Sequence, residues 1–286
     1  MRLATTFISF FLLLMGNETI LAQYFERLSP YPSYEQSQNI YIYNSNLLFT
    51  SGSNGSFVKS TNSGVDWTFN RINLNGDIIH GLWFTSELIG YAVGFHYSIY
   101  KTTDGGSSWT QLERNPAEAN GYWGMVFTDA NTGYVVGDGG VIKKTTNAGA
   151  AWFSLTSGVS SNLYDILHLG GNTLLICGAD QYMLRSTNGG SSWSQINSQT
   201  SYTKNLFATF DKNTIYAATT WGTITKSTDA GLTWNYISAV RPTTRSIYGI
   251  YFTSNQIGYI ADQYAGIFKT TDGGNSWSAA STGIEA

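Results

Sequence analysis

Few residues of this sequence carry groups that could do chemistry, and most of them fall outside its repeated patterns. Asp138, Asp180 and Asp262 are carboxylates, and two carboxylates at the right separation are all that glycoside hydrolysis requires. His80, His96, Tyr97 and Arg245 include the base and the charge neutraliser that a polysaccharide lyase needs. Trp123, Tyr164, Tyr182, Trp221, Tyr248 and Tyr264 offer rings, and Lys204 adds a cation. Rings beside carboxylates suit sugar binding, the ring stacking on the apolar sugar face and the carboxylate taking hydroxyls. Taken singly, each residue reads first as a packing or turn residue; taken together they read as a binding surface. His80, His96 and His168 have no ligand spacing, so neither a metal nor a cofactor is expected. His168 has apolar neighbours and reads as a core or channel residue. Cys177, the single cysteine, lies in an apolar run and reads as a buried thiol.

The elements that must position these groups come from an internal repeat. Lys59 to Trp67, Lys101 to Trp109, Lys144 to Trp152, Arg185 to Trp193, Lys226 to Trp234 and Lys269 to Trp277 are six copies of one pattern, their tryptophans 41–43 residues apart. Each copy has Asn or Asp (Asn62, Asp104, Asn147, Asn188, Asp229, Asp272) two residues before a glycine. That spacing makes a hairpin turn. The Asx side chain accepts backbone N–H bonds, the glycine takes positive φ, and the tryptophan returns to pack on the strand just left.

Upstream of each turn lie two short apolar strands joined by a polar turn, as in Gly81 to Gly94, Gly124 to Gly137, Asp165 to Gly178 and Gly249 to Asp262, with Asn205 to Thr219 a looser copy. A third strand runs into the Asx turn and the tryptophan opens a fourth. Four strands in about 42 residues without helical periodicity is the unit of a β-propeller blade. The expected fold is all-β, a single propeller of six four-stranded blades. Seven blades is the alternative, because Tyr24 to Leu28 could pair in the closing blade or start another.

The pattern S/T-x-D/N-x-G-x-x-W resembles the Asp-box, or BNR repeat. Extended to Gly-Tyr-x-x-Gly and Lys-Thr-Thr-Asp-Gly-Gly-x-x-Trp, it is similar to photosystem II stability/assembly factor-like propellers. The resemblance covers nearly the whole chain after residue 22. It implies the fold strongly and the function weakly, since Asp-boxes occur in sialidases, other glycoside hydrolases, sorting receptors and many exported proteins. A sialidase is not expected: the Arg-Ile-Pro segment is missing, and of six arginines after residue 22, Arg185 is committed to a repeat strand. A photosystem role has no independent sign in these residues.

In such a propeller the Asp-box turns lie on one rim. The opposite face collects the residues that lead into each innermost strand, here His80, Trp123, Tyr164, Lys204 and Tyr248. It also collects the links from second to third strand, which carry His96, Tyr97, Asp138, Asp180, Tyr182, Trp221, Asp262 and Tyr264. Long inter-blade loops add Glu113, Arg114, Glu118, Tyr122, Arg241 and Arg245. With only 12% charged residues and a net charge of -3, this face holds much of the chain's scarce charge. The thin spread of Lys and Arg argues against nucleic acid, and 15% aromatic content against disorder.

Residues 1–22 read as an export signal: Arg2 begins it, Ile8 to Met15 is apolar but too short to span a bilayer, and Ile20-Leu21-Ala22 precedes Gln23. Residues 23–286 then form the propeller, secreted or periplasmic, with no membrane span. The expectation is an exported binding or assembly module that takes a glycan or a protein on the face opposite the Asp-boxes. The alternative is a carbohydrate-active enzyme, a glycoside hydrolase or polysaccharide lyase, using the same face.

Overall fold

The computed structural model describes residues 37–199, 203–208, 211–219, 221–237, 245–262 and 266–280. They form six antiparallel sheets of four strands, each hydrogen-bonded in chain order, which are the six blades of a β-propeller. The innermost strands are Ser37–Ile42, Ile79–Phe84, Tyr122–Phe127, Leu163–Gly170, Thr203–Ala208 and Ile247–Phe252, for blades 1 to 6. Blade 1 continues through Leu48–Gly52 and Ser56–Ser60 to the outer strand Thr68–Arg71. The export segment and Tyr24 to Leu28 lie outside the described residues.

Burial rises from the outer to the second strand of each blade. Gly90–Gly94 and Gly133–Gly137 are buried throughout, whereas the outer strand of blade 2, Thr110–Glu113, is mostly exposed. The core therefore lies between blades, and one stack recurs in it. Phe49 lies on Phe84 across blades 1 and 2 with centroids 3.9 Å apart, Tyr91 on Phe127 across blades 2 and 3 at 4.3 Å, and Tyr216 on Phe252 across blades 5 and 6 at 4.0 Å. Such pairs add roughly 0.5–1.5 kcal/mol each beyond the area they bury. Cys177 is buried in a second strand, as its apolar neighbours suggested.

The Asp-box turns have the expected Asx geometry. In blade 2, Asp104 Oδ1 accepts the Ser108 N–H at 2.9 Å, and Gly106 has φ +88°. The hydroxyl that opens the pattern adds a bond: Thr102 Oγ1 accepts the Gly106 N–H at 2.9 Å while donating to Asp104. Gly106 is required twice over, since a Cβ there would lie 2.3 Å from the Phe57 ring. The tryptophan also reaches beyond its own blade. Trp109 packs against the cluster that holds Tyr100 of its third strand, and meets Phe84 of the same blade and Phe57 of blade 1 edge-on.

The basic residue that opens the box is an inter-blade part in blades 1 to 5. Lys59 Nζ donates to Gly105 O at 3.1 Å, Lys101 to Ala148 O at 2.8 Å, Lys144 to Gly189 O at 3.0 Å, Arg185 Nε to Ala230 O at 3.0 Å and Lys226 to Gly273 O at 2.8 Å. Each acceptor sits in the next blade's Asp-box turn. Tyr91, Tyr134 and Tyr216 donate to the same carbonyls at 2.7–2.9 Å, each under its lysine's ammonium.

Candidate functional site

On the face opposite the Asp-box turns, every innermost strand carries a β-bulge. Pairing with the second strand passes from Ile79↔Gly94 to Gly81↔Val93 in blade 2, which leaves His80 opposite nothing. The same slip leaves out Gln38, Trp123, Tyr164, Lys204 and Tyr248 in the other blades. A bulge re-aims a side chain out of the pleat, so the fold repeats one display position six times around its axis. Five of the six were legible in the sequence. Gln38 of blade 1 was not among them. The approach is allowed by the glycine ending the second strand: a Cβ on Gly137 would lie 2.3 Å from Gly121 O.

Three of these residues meet. The His80 ring stacks on Trp123 at 4.0 Å and 22°, and Tyr164 meets Trp123 edge-on at 5.7 Å. Asp138 holds the group in place. Its Oδ1 accepts the Trp123 indole N–H at 2.8 Å, its Oδ2 the Gly121 N–H at 2.8 Å, and its carbonyl the Tyr97 hydroxyl at 3.3 Å. Asp138 is thus buried and occupied as an acceptor, a positioning residue rather than an open carboxylate.

The other expected residues are spread around the face. Asp180 is exposed and bonded by the Ser161 hydroxyl, and Asp262 is buried with Oδ1 accepting the Gly266 N–H at 2.7 Å. Trp221 and Tyr248 are 63% and 42% exposed, which leaves rings of blades 5 and 6 open to a partner, and Arg245 is exposed beside them in sequence. The bulge of Lys204 and the strand Tyr182–Ser186 are described by their backbone; Arg241 and Tyr264 lie outside the described residues. His168 is half-buried rather than in the core, with Nε2 3.1 Å from Gly171 O of its own hairpin.

Two carboxylates escaped the sequence reading. Asp77, in the loop leading to blade 2, is buried and receives His96 Nδ1 at 2.7 Å, Arg114 Nε at 2.7 Å and Nη2 at 3.1 Å, and the Tyr100 hydroxyl at 3.4 Å. Burial alone would raise its carboxyl, but the bonds from Arg114 and His96 hold it below the usual range. Next to this group, Glu113 pairs with Lys143 and accepts the Tyr122 hydroxyl at 3.1 Å. Asp165 follows the bulge at Tyr164. It accepts the Ile166 N–H at 2.8 Å and the Leu206 N–H of blade 5 at 2.9 Å, and desolvation pushes its carboxyl up to about 6. Neither was visible because Arg114 and Leu206 come from distant parts of the chain.

Among the described residues no group of three or more His, Cys, Asp or Glu is placed to hold a metal ion, and no helix is long and apolar enough to cross a membrane. The family model described as Photosynthesis system II assembly factor YCF48 matches residues 67–158 and 116–240. Among solved structures, "YCF48 bound to D1 peptide" is 17% identical, with a TM-score of 0.70 over 87% of this chain and 82% of that one. YCF48 from Cyanidioschyzon merolae is 15% identical, with a TM-score of 0.70 over 88% and 87%. A GH74 enzyme from Niastella koreensis is 18% identical, with a TM-score of 0.61 over 85% of this chain and 37% of that one. At these identities the likeness concerns the fold. No curated protein matches the sequence.

Proposed function

Because the chain belongs to the photosynthesis system II assembly factor YCF48 family, we propose that it is a binding or assembly module that holds a polypeptide segment on the face opposite its Asp-box turns. The observation that carries this reading is the six-fold bulge, which presents Gln38, His80, Trp123, Tyr164, Lys204 and Tyr248 at one end of the axis. Half of the mouth is closed and rigid, built of His80, Trp123 and Tyr164 over Asp138. The other half offers Trp221 and Tyr248 to solvent. Fixed rings beside exposed ones make a surface that loses little side-chain freedom on binding. That a propeller of the same fold is bound to D1 peptide supports a polypeptide as the class of partner.

Export belongs to the same proposal, on the strength of Arg2, the apolar run Ile8 to Met15 and Ile20-Leu21-Ala22. Its check is the mass of the protein recovered outside the cytoplasm, which should correspond to a chain beginning at Gln23. Binding is tested by panning a library of random displayed peptides on the purified protein, with a glycan array and a polysaccharide-degradation screen in parallel. Enriched peptides that compete for one site support the reading. Bound or cleaved glycan with no enriched peptide overturns it in favour of a carbohydrate-active protein.

A further inference from the structure

The turn linking the second and third strands of blade 2 is built unlike its sisters. In blades 1 and 3 the two central residues of this turn are Asn54-Gly55, at φ +55° and +67°, and Gly139-Gly140, at +66° and +74°. These are the residues that a turn with two left-handed positions calls for. Blade 2 places His96 and Tyr97 there, at φ +59° and +50°, with the Ser98 N–H closing the turn on Phe95 O at 3.2 Å. Two consecutive bulky side chains in the left-handed region are strained, and such strain persists only where the surroundings impose it.

The surroundings do impose it, and they point both groups to a task. Asp77 fixes His96 through Nδ1, and Arg114 fixes Asp77 with two bonds, leaving Nε2 as the free edge of an imidazole whose side chain is 29% exposed. Donation from Nδ1 to Asp77 leaves Nε2 of the neutral imidazole as a hydrogen-bond acceptor. The loop after Arg114 closes over this corner, its Asn115 N–H bonded to His96 O at 2.7 Å and its Glu118 exposed. Burial and then the charges of Asp138 and Glu118 raise the Tyr97 hydroxyl. Charge at the corner does not balance. Asp77 is offset by Arg114 and Glu113 by Lys143, and Asp138 is taken up by the N–H groups of Trp123 and Gly121, which leaves the exposed Glu118 without an ion pair among the described residues.

We propose that this corner is a subsite for a primary ammonium group, a lysine side chain of the bound segment, accepted by His96 Nε2 and drawn in by the exposed Glu118. The inference rests on the reading of this face as a peptide-binding surface and names the chemistry of the segment it takes.

The test uses peptides enriched by panning on the purified protein at about pH 7.5, resynthesised with each lysine free or N-acetylated, and read by calorimetry. Lysine should be enriched, and acetylation of one lysine should cost the wild type about tenfold or more in affinity, as loss of a charged hydrogen bond does. His96→Asn puts a residue that tolerates left-handed φ in the same turn; it should keep the fold, bind the free peptide about tenfold more weakly and lose the difference between free and acetylated lysine. Glu118→Gln, exposed and remote from the core, is the second variant and should weaken binding in the same direction. Enriched peptides without lysine, or equal affinity of the acetylated form, overturn the ammonium subsite while leaving peptide binding intact. The absence of any enriched peptide overturns both.

Discussion

The indole N–H of Trp123 points to Oδ1 of Asp138 at 2.8 Å, and this bond connects the bulge of blade 3 to the turn between its second and third strands. Asp138→Ala would strand that N–H and the one from Gly121 in a buried place. The expected cost is about 2–4 kcal/mol in chemical denaturation, from two unsatisfied donors. The near-ultraviolet signal of the tryptophans should broaden and weaken as the ring loosens. A variant as stable as the wild type would mean that His80 and Tyr164 hold Trp123 without help.

Inter-blade latches should carry measurable stability. Tyr216 and Lys226 both donate to Gly273 O, at 2.7 and 2.8 Å. Tyr216→Phe removes one donor and keeps the ring stacked on Phe252, so about 1 kcal/mol should be lost. Because either donor alone still satisfies the shared carbonyl, the double variant Tyr216→Phe/Lys226→Met, which removes both, should cost more than the sum of the singles. Strict additivity would show that the carbonyl is not shared.

Two glycines of positive φ should respond differently to alanine. Gly106→Ala meets both a φ of +88° and the Phe57 ring at 2.3 Å, whereas Gly139→Ala has φ +66° and nothing within 4 Å. The first should cost several kcal/mol, about 3 or more, and the second about 1, which thermal unfolding resolves.

The repeat was readable because its demands are local. An Asx side chain, a hydroxyl two residues before it and a glycine two residues after it bond one another within a single turn, so the spacing alone announces them, as in Thr102, Asp104 and Gly106. The bulge positions were readable as departures from that repeat. What stayed hidden depends on partners from another blade. Asp77 looks like turn chemistry in Asn75-Gly76-Asp77 until Arg114 and His96 are seen to meet on it. The contact of Trp109 with Phe57 of blade 1 was hidden because the sequence displays neighbours along the chain only.

Acid and mildly acid conditions should act in opposite directions. Asp104 and Asp272 are held at about 2, first by the hydroxyls and then by the N–H groups of Ser108 and Ser276; Asp229 is at about 2 despite desolvation, through Thr233. A depressed carboxyl stabilises the fold above its ordinary value of 3.8, and that contribution disappears as pH falls towards 2. Asp165 has the other sign. Its folded carboxyl titrates near 6, so the native state takes up the proton first and this group's contribution improves as pH falls from above 6 to about 4. The wild type should therefore gain more in melting temperature between about pH 7.5 and about pH 5 than Asp165→Asn does, and both should lose stability below about pH 3.5. Parallel pH curves for the two proteins would contradict the assignment to Asp165.

The central claim is that binding uses the face of the bulges and not the Asp-box rim. Calorimetry with one enriched peptide decides it, comparing Trp221→Ala/Tyr248→Ala with Val65→Ala/Leu232→Ala, four exposed side chains on opposite sides of the ring. The first variant should lose about tenfold or more in affinity, as truncation of aromatic anchors does, with its melting temperature unchanged, while the second binds as the wild type does. Unchanged binding by the first and loss by the second would place the partner on the Asp-box rim and contradict the account.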